Sequence, residues 1–269
     1  MKKKSLRTIW NMFAIFIVLF SVNLVVREIS DATQRMWLIM DLWVILLSII
    51  LLLKYKLPGR TGIIISTIFG LVVSLSYINI GGFSLVSSVF IIVLSTLAVI
   101  RTFEIYSEKH LYLIRRKRKL SIVVSITLGL VIGIIWGTIN YFLMLSSNEP
   151  KFSIKIINFL VALSPAVLEE IAMRTLFFAF CLHLLNGKIE TKMENFTCWF
   201  MMMVPHVLIH TPDAFIEQGI VSGIINVALY IVIFALPFTF LQRKRDIASA
   251  MIAHGTVDAI RFCFFGLPY

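Results

Sequence analysis

Apolar blocks about the length of a membrane span recur along the whole chain, near 8–26, 36–53, 61–79, 84–100, 121–145, 153–185, 196–211, 220–241 and 247–265. A helix needs about 20 mostly apolar residues to cross the hydrocarbon core of a bilayer, and a soluble fold cannot hide so many blocks of that size in 269 residues. Composition agrees: 59% of the residues are hydrophobic and 14% charged, against about 25% charged in a soluble domain. Seven Pro and thirteen Gly are too few for collagen or a disordered linker. The pattern predicts an all-α, polytopic membrane helical bundle of eight or nine transmembrane helices, the count turning on the short 196–211 block. Residues 1–120 read as scaffold helices with a basic loop, and 121–269 as the part that carries chemistry.

The net charge of +11 would suggest nucleic acid in a soluble protein, but here the placement of the basic residues argues for topology and against a nucleic-acid partner. One side receives Lys2, Lys3, Lys4, Arg7, Lys54, Lys56, Arg60, Arg101, Lys109, the run Arg115 to Lys119, Lys188, Lys192 and Arg243 to Arg245. The other receives Arg27, Arg35, Lys151 and Lys155. Lys and Arg near span ends are retained in the cytoplasm, so the N-terminus is expected to be cytoplasmic. The first block follows Met-Lys-Lys-Lys like a signal peptide, but it extends to about Val26 without a small-x-small cleavage pattern, and reads as a retained span. Cys181, Cys198 and Cys263 sit inside apolar blocks at no metal-type spacing and read as buried hydrophobes.

Ionisable groups gather in the second half. A charge within a span costs several kcal/mol unless paired or hydrated, which makes it a functional-site hypothesis. The sixth block carries Glu169, Glu170 and Arg174 after Pro165. Glu170 and Arg174 are four apart on one helical face in the favourable order for an ion pair, while Glu169, turned about 100° away, has the setting of a general base. The seventh block supplies His206 after Pro205, with His210 one turn on; the last supplies His254 with Asp258 one turn on.

This ordered set resembles the CAAX protease and bacteriocin-processing (CPBP, or Abi) family of intramembrane endopeptidases, whose pattern is Glu-Glu-x-x-x-Arg, then Phe-x-x-x-His, then His-x-x-x-Asn or Asp on three spans. The matching residues are Glu169-Glu170-x-x-x-Arg174, His206 and His254-x-x-x-Asp258, within about 153–265. Met202 stands where the family has Phe, and Met173 and Thr175 flank Arg174 where many members have an aromatic and Gly. The resemblance implies a metal-independent, cofactor-free peptide hydrolase in a bacterial cell membrane, acting on a membrane-associated peptide or protein such as a precursor or leader peptide. Glu169 and His206 would activate a water, His254 and Asp258 would stabilise the oxyanion, and Glu170 and Arg174 would hold the helix. An ionised Asp258 cannot donate to an oxyanion; it is either protonated, or orients His254, or pairs with Arg261.

Other chemistries use the same residues. His206 and His210 share a face and suit a metal, but His-Val-Leu-Ile-His lacks the Glu that follows the first His of zinc peptidases. Ser164 has no Gly-x-Ser-x-Gly elbow. A non-enzymatic regulator or bacteriocin immunity protein of the same family is the alternative to a peptidase, and a proton-coupled transporter is the third class. For the enzyme, the residues predict that Glu169, His206 and His254 converge on a polar cavity open toward the cytoplasm.

Overall fold

The computed structural model describes residues 2–26, 31–79, 81–106, 111–114, 119–146 and 149–267. Among them the regular structure is helical throughout. The helices are α1 (Lys2–Val25), α2 (Ala32–Tyr55), α3 (Arg60–Ser76), α4 (Gly82–Ile105), α5 (Lys119–Met144), α6 (Ile156–Ser164), a π-wound stretch π1 (Pro165–Thr175), α7 (Leu176–Leu184), α8 (Lys192–Leu208), α9 (Pro212–Glu217), α10 (Gly219–Tyr230), π2 (Ile231–Ala235), α11 (Leu236–Lys244) and α12 (Ile247–Phe265). The basic residues Arg115 to Arg118 lie outside the described residues.

Among the described residues seven helical stretches are long and apolar enough to cross a membrane, and the chain is a multi-pass membrane protein. The expected eight or nine differ because two apolar blocks fold as 17-residue helices, α3 and α8. At 1.5 Å per residue each is about 26 Å long, short of a ~30 Å hydrocarbon core. Pro58-Gly59 and Gly81-Gly82 bound α3, whereas α8 starts at a Thr191–Glu194 capping box and stops just before Thr211-Pro212.

The chain divides into two compact units, each assembled from three separated stretches. The first comprises Met1–Ile63, Leu94–Glu108 and Ala172–Leu236. In it α2 buries Met36, Met40, Val44, Leu47 and Leu51, a stripe at helical spacing, while Leu38, Leu42, Leu46 and Leu53 on its other faces are exposed. A leucine face of that kind is stable against lipid tails and not against water. Every residue of α7 from Leu176 to Leu182 is buried, so this helix is the unit's centre. Cys181 and Cys198 are buried there, as is Cys263 in the other unit.

The second unit comprises Ile64–Val93, Lys109–Ile171 and Pro237–Tyr269. Its axis is the parallel pair α5 and α12. Gly129, Gly133 and Gly137 of α5 face Ile252, Thr256 and Ile260 of α12 in turn. A Cβ on Gly133 would lie 2.5 Å from the Thr256 Cβ and 2.8 Å from the Ala253 carbonyl oxygen, so only glycine admits this backbone approach. The start of α12 is closed by Asp246, whose carboxylate accepts from the Ser249 amide (2.9 Å) and the Ser125 hydroxyl (2.6 Å). Amides of Ile247 and Ala248 donate to the carbonyls of Tyr112 and Leu113, so the first turn's unpaired N–H groups find acceptors. At the far end the amides of Lys151 and Ser153 donate to the carbonyls of Phe264 and Cys263. These contacts fix the helix that carries His254 and Asp258.

Candidate functional site

The helix begun by α6 changes winding at Pro165, where the missing N–H removes one backbone bond, and continues as π1 through both glutamates. Stretches of π-helix recur at functional sites. Within the second unit, π1 supplies Glu169 and Glu170, α11 supplies Phe238 and Gln242, and α12 supplies His254 and Asp258. Glu170 is fully buried, and a charge in such a place requires partners. The Gln242 amide donates to its Oε2 (2.6 Å) and to its backbone carbonyl (3.0 Å), and His254 Nδ1 donates to its Oε1 (2.7 Å). The two bonds to the carboxylate are shorter than an ordinary N–H···O bond.

With Nδ1 committed to Glu170, the opposite edge of the His254 ring faces two further carboxylates: Nε2 is 3.6 Å from Glu169 Oε2 and 3.4 Å from Asp258 Oδ2. These separations are ionic contacts beyond good hydrogen-bond length. Phe238 lies flat on the imidazole, with centroids 4.7 Å apart and planes 9° from parallel. The ring is thus held by one edge and one face. Asp258 follows His254 by one turn and turns its carboxylate to that ring, while the Arg261 guanidinium sits 5.8 Å from the centroid of Phe262. Ser164, just before π1, has its hydroxyl 3.1 Å from that of Tyr77.

A second cluster forms within the first unit. Pro205 lies inside α8 immediately before the buried His206. Arg174, from the end of π1 and 1% exposed, donates from Nη2 to His206 Nδ1 at 3.0 Å. His206 Nε2 is 3.4 Å from Nε2 of His210, which lies just past the end of α8, is exposed, and packs edge-on to Trp37 at 5.1 Å.

The structure therefore brings Glu169, Glu170, His254 and Asp258 together in one unit, and Arg174 and His206 in the other. Sequence reasoning put Glu170 and Arg174 on one helical face as an ion pair; the structure adds Gln242 and His254 as hydrogen-bond partners of the Glu170 carboxylate. Gln242 and Phe238 were missed. The legible signal for Gln242 was a neutral polar residue at the end of the 220–241 apolar block; Phe238 carried none. Comparison of the chain with family models, with curated proteins and with solved structures finds no match.

Proposed function

We propose that the protein is a metal-independent intramembrane endopeptidase of CPBP type that hydrolyses a peptide bond in a membrane-associated peptide or protein, in a bacterial cell membrane. The observation that carries this reading is the buried set Glu169, Glu170, His254 and Asp258 on two spans. Peptide hydrolysis needs a base for water, an acid for the leaving amine and preorganised donors for the oxyanion. Glu169 supplies the base, with its carboxylate at Nε2 of a histidine whose orientation is already fixed. His206 enters through its place in the ordered motif, and its bond to Arg174 supports a role that depends on orientation.

The test is to sequence the termini of membrane peptides in cells carrying the wild-type protein or Glu169→Ala. Precursors that accumulate uncleaved only in the variant support the reading. Identical peptide sets, with the phenotype of the wild type retained, would favour a regulator or immunity protein that acts by binding.

A further inference from the structure

We propose that Arg261 is a specificity-determining residue: its guanidinium receives a carboxylate carried by the substrate peptide, about three residues from the bond that is cut. This deepens the peptidase reading and rests on it. The ordered motif stops at Asp258, and the roles it implies leave Arg261 without one.

His254, Asp258 and Arg261 stand at i, i+4 and i+7 on α12. Seven residues turn a helix through about 700°, within about 20° of two full turns, so the three share one face. Neighbouring helices take the other sides: α5 meets Ile252, Thr256 and Ile260, and α6 meets Ala259 and Phe262. The remaining face enters the site, where His254 bonds Glu170 at 2.7 Å and Asp258 lies 3.4 Å from His254 Nε2. It ends in a cation about 10 Å along the axis from His254. An extended peptide rises about 3.3 Å per residue, so a chain laid along this face from His254 reaches Arg261 in about three residues.

A charge within a span needs a partner or water. Glu170 has Gln242 and His254, and the Asp258 carboxylate is turned to His254. Among the described residues Arg261 makes no ion pair and no hydrogen bond; its guanidinium lies 5.8 Å from the centroid of the Phe262 ring, near the limit of a cation–π contact. The residue is half-buried, so a ligand can still reach it. A guanidinium presents five donors in a planar fork that fits a carboxylate with two parallel bonds. Anionic headgroups at this end of the helix are served by the exposed Lys151 and Lys155, whereas Arg261 sits one turn inside the end of α12 at Phe265, on the face of His254 and Asp258.

The experiment starts from a peptide of a pooled library that the full chain cleaves in vesicles of zwitterionic lipid. Glu or Gln is placed in turn at each position on either side of the cleaved bond, with the C-terminus amidated, and a matched set ends in a free carboxylate at each position instead. Wild-type protein should prefer the carboxylate by about 10-fold or more, through KM, at about three residues from the bond and nowhere else; the set that shows the preference tells a side-chain from a terminal carboxylate. Arg261→Gln should erase the preference, and Arg261→Glu should transfer it to a Lys at the same position. If Arg261→Gln does not fold, Arg261→Lys, which keeps the charge and loses the fork, should weaken it. No preference in either set, or a preference that survives in Arg261→Gln, would overturn the proposal. So would a defect of Arg261→Gln that is equal for Glu and Gln peptides and appears only in vesicles of anionic lipid, which would make the guanidinium a headgroup anchor. No cleavage of any peptide by the wild-type protein would sink the peptidase reading, whereas cleavage without the preference would sink the role of Arg261 alone.

Discussion

Glu170 Oε1 lies 2.7 Å from His254 Nδ1 across 84 residues of chain, joining the π-wound stretch to the last helix. Glutamine at 170 offers one side-chain acceptor oxygen where glutamate offers two, so either Gln242 or His254 loses its side-chain acceptor. Leaving a buried donor unsatisfied costs about 1–3 kcal/mol. Glu170→Gln is therefore expected to lower the folded yield and the thermal unfolding temperature in detergent.

Glu169→Gln should behave differently. Its carboxylate is 3.6 Å from His254, beyond good hydrogen-bond length, and the amide keeps its size and shape, so the variant should fold with near wild-type yield. Loss of the base should reduce peptide cleavage by about 100-fold or more. Full processing by a well-folded Glu169→Gln protein would falsify the peptidase assignment.

Gly133 tests the α5–α12 approach. Gly133→Ala places a Cβ against the Thr256 side chain and the Ala253 carbonyl, an overpacking expected to cost about 1–3 kcal/mol. Gly59→Ala, where nothing lies within 4 Å of the added carbon, is the control and should leave the unfolding temperature unchanged. Equal stability of the two variants would contradict the packing described.

Asp246→Ala removes the cap on α12 and the acceptor of the Ser125 hydroxyl, and leaves Arg245 without the carboxylate 3.4 Å from its Nε. Loss of an N-cap typically costs about 1 kcal/mol. Amide hydrogen exchange in the first turn of α12 should speed up in this variant, and Asp246→Asn should restore part of the protection.

Metal removal separates the remaining mechanisms. His206 Nδ1 accepts from Arg174, and its Nε2 proton would have to leave before that nitrogen could bind a cation. Protein stripped with chelator should keep its cleavage activity. Activity restored only by added zinc would return His206 and His210 to the role of ligands.

The spans were legible because apolar blocks of fixed length are a one-dimensional signal, and Pro165 marked the place where the winding changes. The limits of α8 were less so: the block 196–211 looked like one segment because apolar character runs past Leu208, whereas the Thr191 cap and the turn at Thr211-Pro212 set the helix. Glu169, His254 and Asp258 stood out as ionisable groups in apolar surroundings. The hydrogen-bond partner that Glu170 finds in Gln242 did not. Spacing along one helix points only to residues three or four away, such as Arg174, while Gln242, 72 residues distant, is selected by tertiary packing that leaves no periodic trace.

The glycines of α5 and the side chains they receive from α12 are two combs of equal pitch, 129, 133, 137 against 252, 256, 260. Teeth of equal spacing resist a slide of one or two residues, because each Cβ would meet backbone instead of a gap. The permitted displacement is a whole tooth, about 6 Å along the axis, and it would carry His254 out of reach of Glu170. The register of the last helix is consequently all or none: continuous adjustment of the imidazole by gliding of α12 is closed to this protein, and any tuning of the site must come from α11 and π1.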